Sequence, residues 1–67
     1  MILSIIIPVF NEEKTIIQIL KKISKNSTDK VKYEIIVVDD GSTDQTKKLL
    51  DDNKNLYNIL LVNDANK

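Results

Sequence analysis

The sequence predicts a parallel α/β fold, β-α-β-α-β, with three strands in the spatial order 3-2-1. Three observations carry this reading. Apolar, mostly β-branched or leucine-rich runs occur at residues 3–9, 35–38 and 59–62. Segments with helical spacing stand between them. The first two runs end abruptly in polar clusters, as strands do at the carboxyl rim of an open α/β sheet. Strands apolar on both faces belong to parallel sheets, and crossovers between parallel strands are right-handed in nearly all cases.

The first run, Leu3-Ser4-Ile5-Ile6-Ile7-Pro8-Val9, has strand length. Pro8 lacks a ladder donor, which places it at the strand end. Asn11 suits a helix N-cap, and Glu12 and Glu13 suit the positive end of a helix dipole. Ile16, Ile19, Leu20 and Ile23 follow at helical spacing, with Lys14, Gln18, Lys21, Lys22 and Lys25 around the other face. The expected helix covers residues 12–25, and residues 26–32 read as a polar loop. Asn26-Ser27-Thr28 within it fits a glycosylation sequon but reads as loop polarity.

Tyr33 introduces the second strand, Ile35-Ile36-Val37-Val38, which stops at Asp39-Asp40-Gly41-Ser42. Ser42 or Thr43 is expected to cap a second helix over residues 44–52, with Leu49, Leu50 and Thr46 inward. Ile59-Leu60-Leu61-Val62 supplies the third strand. In the order 3-2-1 both helices cover one face. The other face of Ile5, Ile7, Ile36 and Val38, or of their alternates, is then bare. An apolar patch of that size is unusual in a monomer, so further strands and helices beyond these residues are expected.

Composition narrows the function classes. The chain has 67 residues, with one Gly, one Pro and no Cys. A domain this small buries only about 60% of its unfolded surface, and no disulfide or thiolate metal site can compensate. Ten basic and ten acidic residues balance, and the basic ones are all Lys, scattered among Asp and Glu. Nucleic-acid binding needs a basic cluster, so no nucleic-acid partner is expected. Without Arg or His, this segment has no histidine acid–base chemistry and no arginine phosphate clamp. The apolar N-terminus has no charged leader and is too short to span a bilayer.

Chemistry is expected at two clusters on one rim: Pro8-Val9-Phe10-Asn11-Glu12-Glu13 and Asp39-Asp40-Gly41-Ser42-Thr43-Asp44. Adjacent residues in an extended segment point to opposite sides, so Asp39 and Asp40 should do different work. One can accept hydrogen bonds from a nucleobase N–H or a ribose hydroxyl, in charge-assisted bonds about twice as strong as neutral ones. The other can hold the following loop through backbone N–H groups. Gly41 offers a flexible turn with no side chain in a ligand's way. Phe10 can serve the core or flank a flat base. Asn11 and Glu12 are also explained as helix-start residues.

Ser4-Ile5-Ile6-Ile7-Pro8-Val9-Phe10-Asn11-Glu12-Glu13, followed by Tyr33-Glu34-Ile35-Ile36-Val37-Val38-Asp39-Asp40-Gly41-Ser42-Thr43-Asp44-Gln45-Thr46, resembles the start of family 2 glycosyltransferases. Together, about one helix apart, the two motifs are specific. They look most like the dolichyl- or polyprenyl-phosphate sugar transferase branch. The resemblance implies a Rossmann-like GT-A fold, inverting chemistry and a UDP- or GDP-sugar donor. It implies a lipid-phosphate or saccharide acceptor and a cytoplasmic location, with the cytoplasmic face of the membrane as the alternative for the full-length protein. Pro8, Phe10, Glu12, Asp39, Asp40 and Gly41 match its donor-binding loops, with Asp40 as the direct ligand. Phe10 departs from the Tyr of many relatives, which removes a phenol hydrogen bond. The resemblance also implies a Mg or Mn ion, an Asp-x-Asp motif and a catalytic carboxylate. The last two are absent from these residues. The expected unit is therefore residues 1–67 as the donor-binding half of a larger domain, without a catalytic residue or metal ligand of its own and inactive alone. Two other readings compete. A receiver-type phosphotransfer module wants its acidic pair after the first strand, where Pro8-Val9-Phe10 stands. A non-catalytic nucleotide-binding or interaction fragment would differ only in what lies downstream.

Overall fold

Strand β1 (Ile2–Val9) pairs in parallel with β2 (Lys32–Asp39), and β2 pairs in parallel with β3 (Ile59–Val62), in a computed structural model that describes residues 1–63. The sheet order β1-β2-β3 is the expected 3-2-1 arrangement. Helix α1 (Ile16–Lys25) connects the first two strands; α2 (Thr46–Asp52) and a single 3-10 turn (Lys54–Leu56) connect the last two. Residues 64–67 lie outside the described residues.

Register fixes which side chains share a face. Ile5 pairs with Ile35, Ile7 with Val37 and Leu60, and Val9 with Asp39 and Val62. This face meets the helices. Its core is Val9, Ile35 and Val37 from the strands, closed over by Ile16, Leu20 and Leu50. Each such side chain removed from water contributes about 1.5–3 kcal/mol. Tyr57 completes the packing: its hydroxyl donates to the Leu50 carbonyl at 2.8 Å. Burial raises the Tyr57 pKa above its ordinary value.

The alternate positions form the second face. Ile6 pairs with Ile36 and Ile59, and Pro8 pairs with Val38 and Leu61. No helix of the described residues covers it: Ile6 is 66% exposed and Leu61 53%. The bare face expected from the sequence therefore exists. It is made of Ile6, Ile36, Val38, Ile59 and Leu61, while Ile5 and Ile7 turn to the helices. Pro8 sits on an edge strand, next to the strand's last residue, where a missing donor is tolerated.

Both helices start later than expected. Residues 12–15 form a turn in which the Thr15 and Ile16 N–H groups donate to the Glu12 carbonyl at 3.0 and 2.9 Å. Regular helix begins only at Ile16; Thr15 stands at its N-cap position without capping it, its hydroxyl donating to Glu12 Oε1 at 3.1 Å. Asn11 is not its N-cap. Helix α2 begins at Thr46, and neither Ser42 nor Thr43 caps it. The Thr46 N–H donates instead to Asp44 Oδ1 at 2.9 Å. Thr46 and Leu50 are buried and Leu49 is partly buried, the inner face expected for this helix.

Candidate functional site

Parallel pairing of β1 and β2 delivers both polar loops to the same rim. Val9 and Asp39 are partners at the last rung, and the Asp40 N–H extends the ladder to the Val9 carbonyl at 2.8 Å. Phe10 and Asp40 therefore leave the sheet side by side. Both are exposed, Phe10 by 50%.

The two aspartates part as the pleat requires. Asp39 lies on the helix-covered face, fully buried, and its Oδ1 accepts the Ser42 N–H at 3.0 Å. Its Oδ2 is buried without a hydrogen-bond partner, which costs about 1–3 kcal/mol. Asp40 stands on the open side, where Oδ1 accepts from the Asn63 Nδ2 amide at 3.0 Å. Asn63 follows β3, so all three strands contribute to this rim. Gly41 turns the chain directly after Asp40 with φ 81°, where a Cβ would be strained.

The loops are bound directly to each other. The Asn11 N–H donates to Ser42 Oγ at 2.8 Å, and the Glu12 N–H to Thr46 Oγ1 at 2.9 Å. Asn11 Oδ1 accepts the N–H groups of Thr43 at 2.8 Å and Asp44 at 3.3 Å. Two more bonds run in opposite directions at Glu13: its N–H donates to Asp44 Oδ2 at 3.3 Å, and its Oε1 accepts the Gln45 N–H at 2.8 Å. Asn11 has φ 52°, a left-handed value that Asn tolerates better than most residues. Desolvation would raise the Asp44 pKa, but hydrogen bonds from Thr46 and from backbone N–H groups outweigh it and hold the carboxyl below its ordinary value.

Of the six residues singled out in the sequence, Pro8, Phe10, Glu12 and Asp40 are exposed at or near this rim, whereas Asp39 and Gly41 are buried beneath it. Sequence reasoning gave Asn11, Ser42 and Thr43 capping roles. The structure uses them to join the loops instead. The available signal was chemical: short side chains able to bond backbone N–H groups, on both sides of one cleft. A hollow of about 360 Å³ is lined by Asn11, Glu12, Glu13, Lys14, Thr15 and Asp44. Neither Phe10 nor Asp40 lines it, so it is distinct from the open rim between them.

Residues 4–67 match the model of the family described as glycosyl transferase family 2. The chain belongs to that family. Similar curated proteins carry the same kind of name. The chain is 39% identical over 56 residues to the poly(ribitol-phosphate) beta-N-acetylglucosaminyltransferase TarS of Staphylococcus aureus, covering 84% of the chain and 10% of that protein. It is 41% identical over 54 residues to the undecaprenyl-phosphate 4-deoxy-4-formamido-L-arabinose transferase of Proteus mirabilis, covering 79% and 17%. It is 46% identical over 46 residues to glycosyltransferase AglE of Haloferax volcanii, covering 69% and 15%. This family 2 chain thus spans between 10% and 17% of the length of these relatives. No solved structure matches it significantly.

Proposed function

We propose that this family 2 segment holds the nucleoside of a UDP- or GDP-sugar in a glycosyltransferase that acts on a lipid-phosphate or saccharide acceptor. The observation that supports this reading is the side-by-side exit of Phe10 and Asp40 at the carboxyl rim. An aromatic face and a carboxylate at one edge suit a nucleoside: the ring packs against the base, and the carboxylate accepts from a ribose hydroxyl or base N–H. Pro8 borders the site without a bulky polar group, Gly41 turns the chain beneath it, and Glu12 adds a carboxylate on the first loop. We give Asp39 a supporting role, since its bond to the Ser42 N–H fixes the turn that carries Asp40.

The sugar-transfer step belongs to residues outside this segment. Among the described residues no group of three or more His, Cys, Asp or Glu side chains stands together as a metal site. These residues do not fit the Mg or Mn ion of the resemblance, and no step through it follows from them. In this reading the metal ligands and the catalytic base follow in the same protein, and residues 1–67 alone are inactive. A cytoplasmic location, at the membrane face where the acceptor is a lipid, completes the proposal. Among the described residues no helix is long and apolar enough to cross a membrane.

Titration of the intact protein with UDP and GDP tests the reading. Asp40→Ala should raise the Kd of the preferred nucleotide at least about tenfold, which corresponds to about 1.4 kcal/mol. Unchanged affinity would remove Asp40 from the site.

A further inference from the structure

We propose that Asn11 is a positioning residue that holds the first loop at a fixed separation from the acidic turn, and so sets Phe10 against Asp40. The inference rests on the nucleoside-site reading above and assigns a role to a residue outside the expected set. Asn11 bridges the cleft in both directions. Its backbone N–H donates to Ser42 Oγ, and its side-chain Oδ1 accepts from the backbone of Thr43 and Asp44. Ser42 is in turn tied through its own N–H to Asp39, which is fully buried. A continuous chain of bonds therefore runs from the first loop, through the acidic turn, to the core.

The position is demanding. Asn11 follows Phe10 directly, and its φ of 52° turns the chain back toward the second loop. Asn and Asp accept this conformation more readily than other residues with a Cβ, and both place a side-chain oxygen at the same reach. Gly permits the φ but brings no oxygen. Substitution can thus separate the backbone bend from the bridge. Asn11→Gly keeps the bend and deletes the Oδ1 acceptor; Asn11→Asp keeps both.

Two measurements on the intact protein test the role. Hydrogen exchange over residues 43–44, without ligand, reads the bridge itself. Asn11→Gly should speed exchange there about tenfold, leave exchange in β2 unchanged, and Asn11→Asp should restore most of the protection. Titration with UDP and GDP reads the consequence: Asn11→Gly should raise the Kd about five- to tenfold, and Asn11→Asp should recover it to within about threefold. Unchanged exchange in Asn11→Gly would show that no bridge exists. Faster exchange with unchanged Kd would show a bridge that does not position the site. Equal loss of affinity in both variants would overturn the role of the oxygen. If the unmodified protein binds neither nucleotide, the nucleoside-site reading falls and takes the positioning role with it, whatever exchange shows.

Discussion

The backbone N–H of Asn11 donates to the side-chain oxygen of Ser42 across the cleft at 2.8 Å, while Ser42 itself is anchored to Asp39 at 3.0 Å. A hydroxyl one carbon from the backbone is short enough to stand between two loops without separating them. The same residue type would serve as a helix cap elsewhere. Its use here follows from the register that brings Val9 opposite Asp39.

Ser42→Ala should therefore lower the stability of the chain by about 1–2 kcal/mol, because a part-buried N–H loses its acceptor without replacement. Urea unfolding monitored by far-ultraviolet circular dichroism measures the shift. A change smaller than about 0.3 kcal/mol would mean that solvent satisfies the Asn11 N–H equally well.

Asp44 gives the fold a dependence on acid. Its carboxyl takes N–H groups from Thr46 and Glu13, and its folded-state pKa lies below the ordinary 3.8 in spite of desolvation. A depressed folded pKa means that the unfolded chain binds the proton more readily. The contribution is then complete above the unfolded value and is lost as pH falls through the folded one. Denaturation midpoints measured between pH 6 and pH 2 should fall more steeply for the natural chain than for Asp44→Asn. Parallel curves would show that Asp44 is not linked to folding.

Much of the fold is legible from hydrophobic runs, and much of the site is not, for a physical reason. Residues 35–38 and 59–62 are apolar runs of strand length between polar stretches, and their polar endings mark the rim. Helix starts are less determined. Asn11, Ser42 and Thr43 carry the chemistry of N-caps, and only tertiary pairing shows that each reaches the opposite loop or its backbone instead of its own helix. The separation of Asp39 from Asp40 follows from the two-residue period of a strand. Which of them is buried depends on which face the helices cover, and that depends on the full register.

That register also predicts unequal responses of two aliphatic positions. Leu20 is fully buried against the sheet, whereas Ile6 lies on the uncovered face. Leu20→Ala should cost about 2–5 kcal/mol, enough to leave a chain of this size largely unfolded. Ile6→Ala in the same 67 residues should change stability by about 0.5 kcal/mol or less. Thermal unfolding of the two variants decides the matter; a large loss for Ile6→Ala would mean that the second face is packed in solution.

Phe10 offers the most direct test of the aromatic half of the rim. The ring is half exposed, so replacing it removes little core packing, and Phe10→Ala should keep its unfolding free energy within about 0.5 kcal/mol of the natural chain. A base stacked on an aromatic side chain loses about 1–3 kcal/mol when that side chain becomes alanine. UDP or GDP binding to the intact protein should accordingly weaken at least about fivefold. Phe10→Tyr keeps the flat face and adds a hydroxyl, so it should bind as well as the natural protein or better. Full affinity in Phe10→Ala would place the base away from this ring and leave Asp40 without its partner at the rim. A loss shared by Phe10→Ala and Phe10→Tyr would point to the shape of the loop rather than to the aromatic face, and the unfolding midpoints would separate that from misfolding.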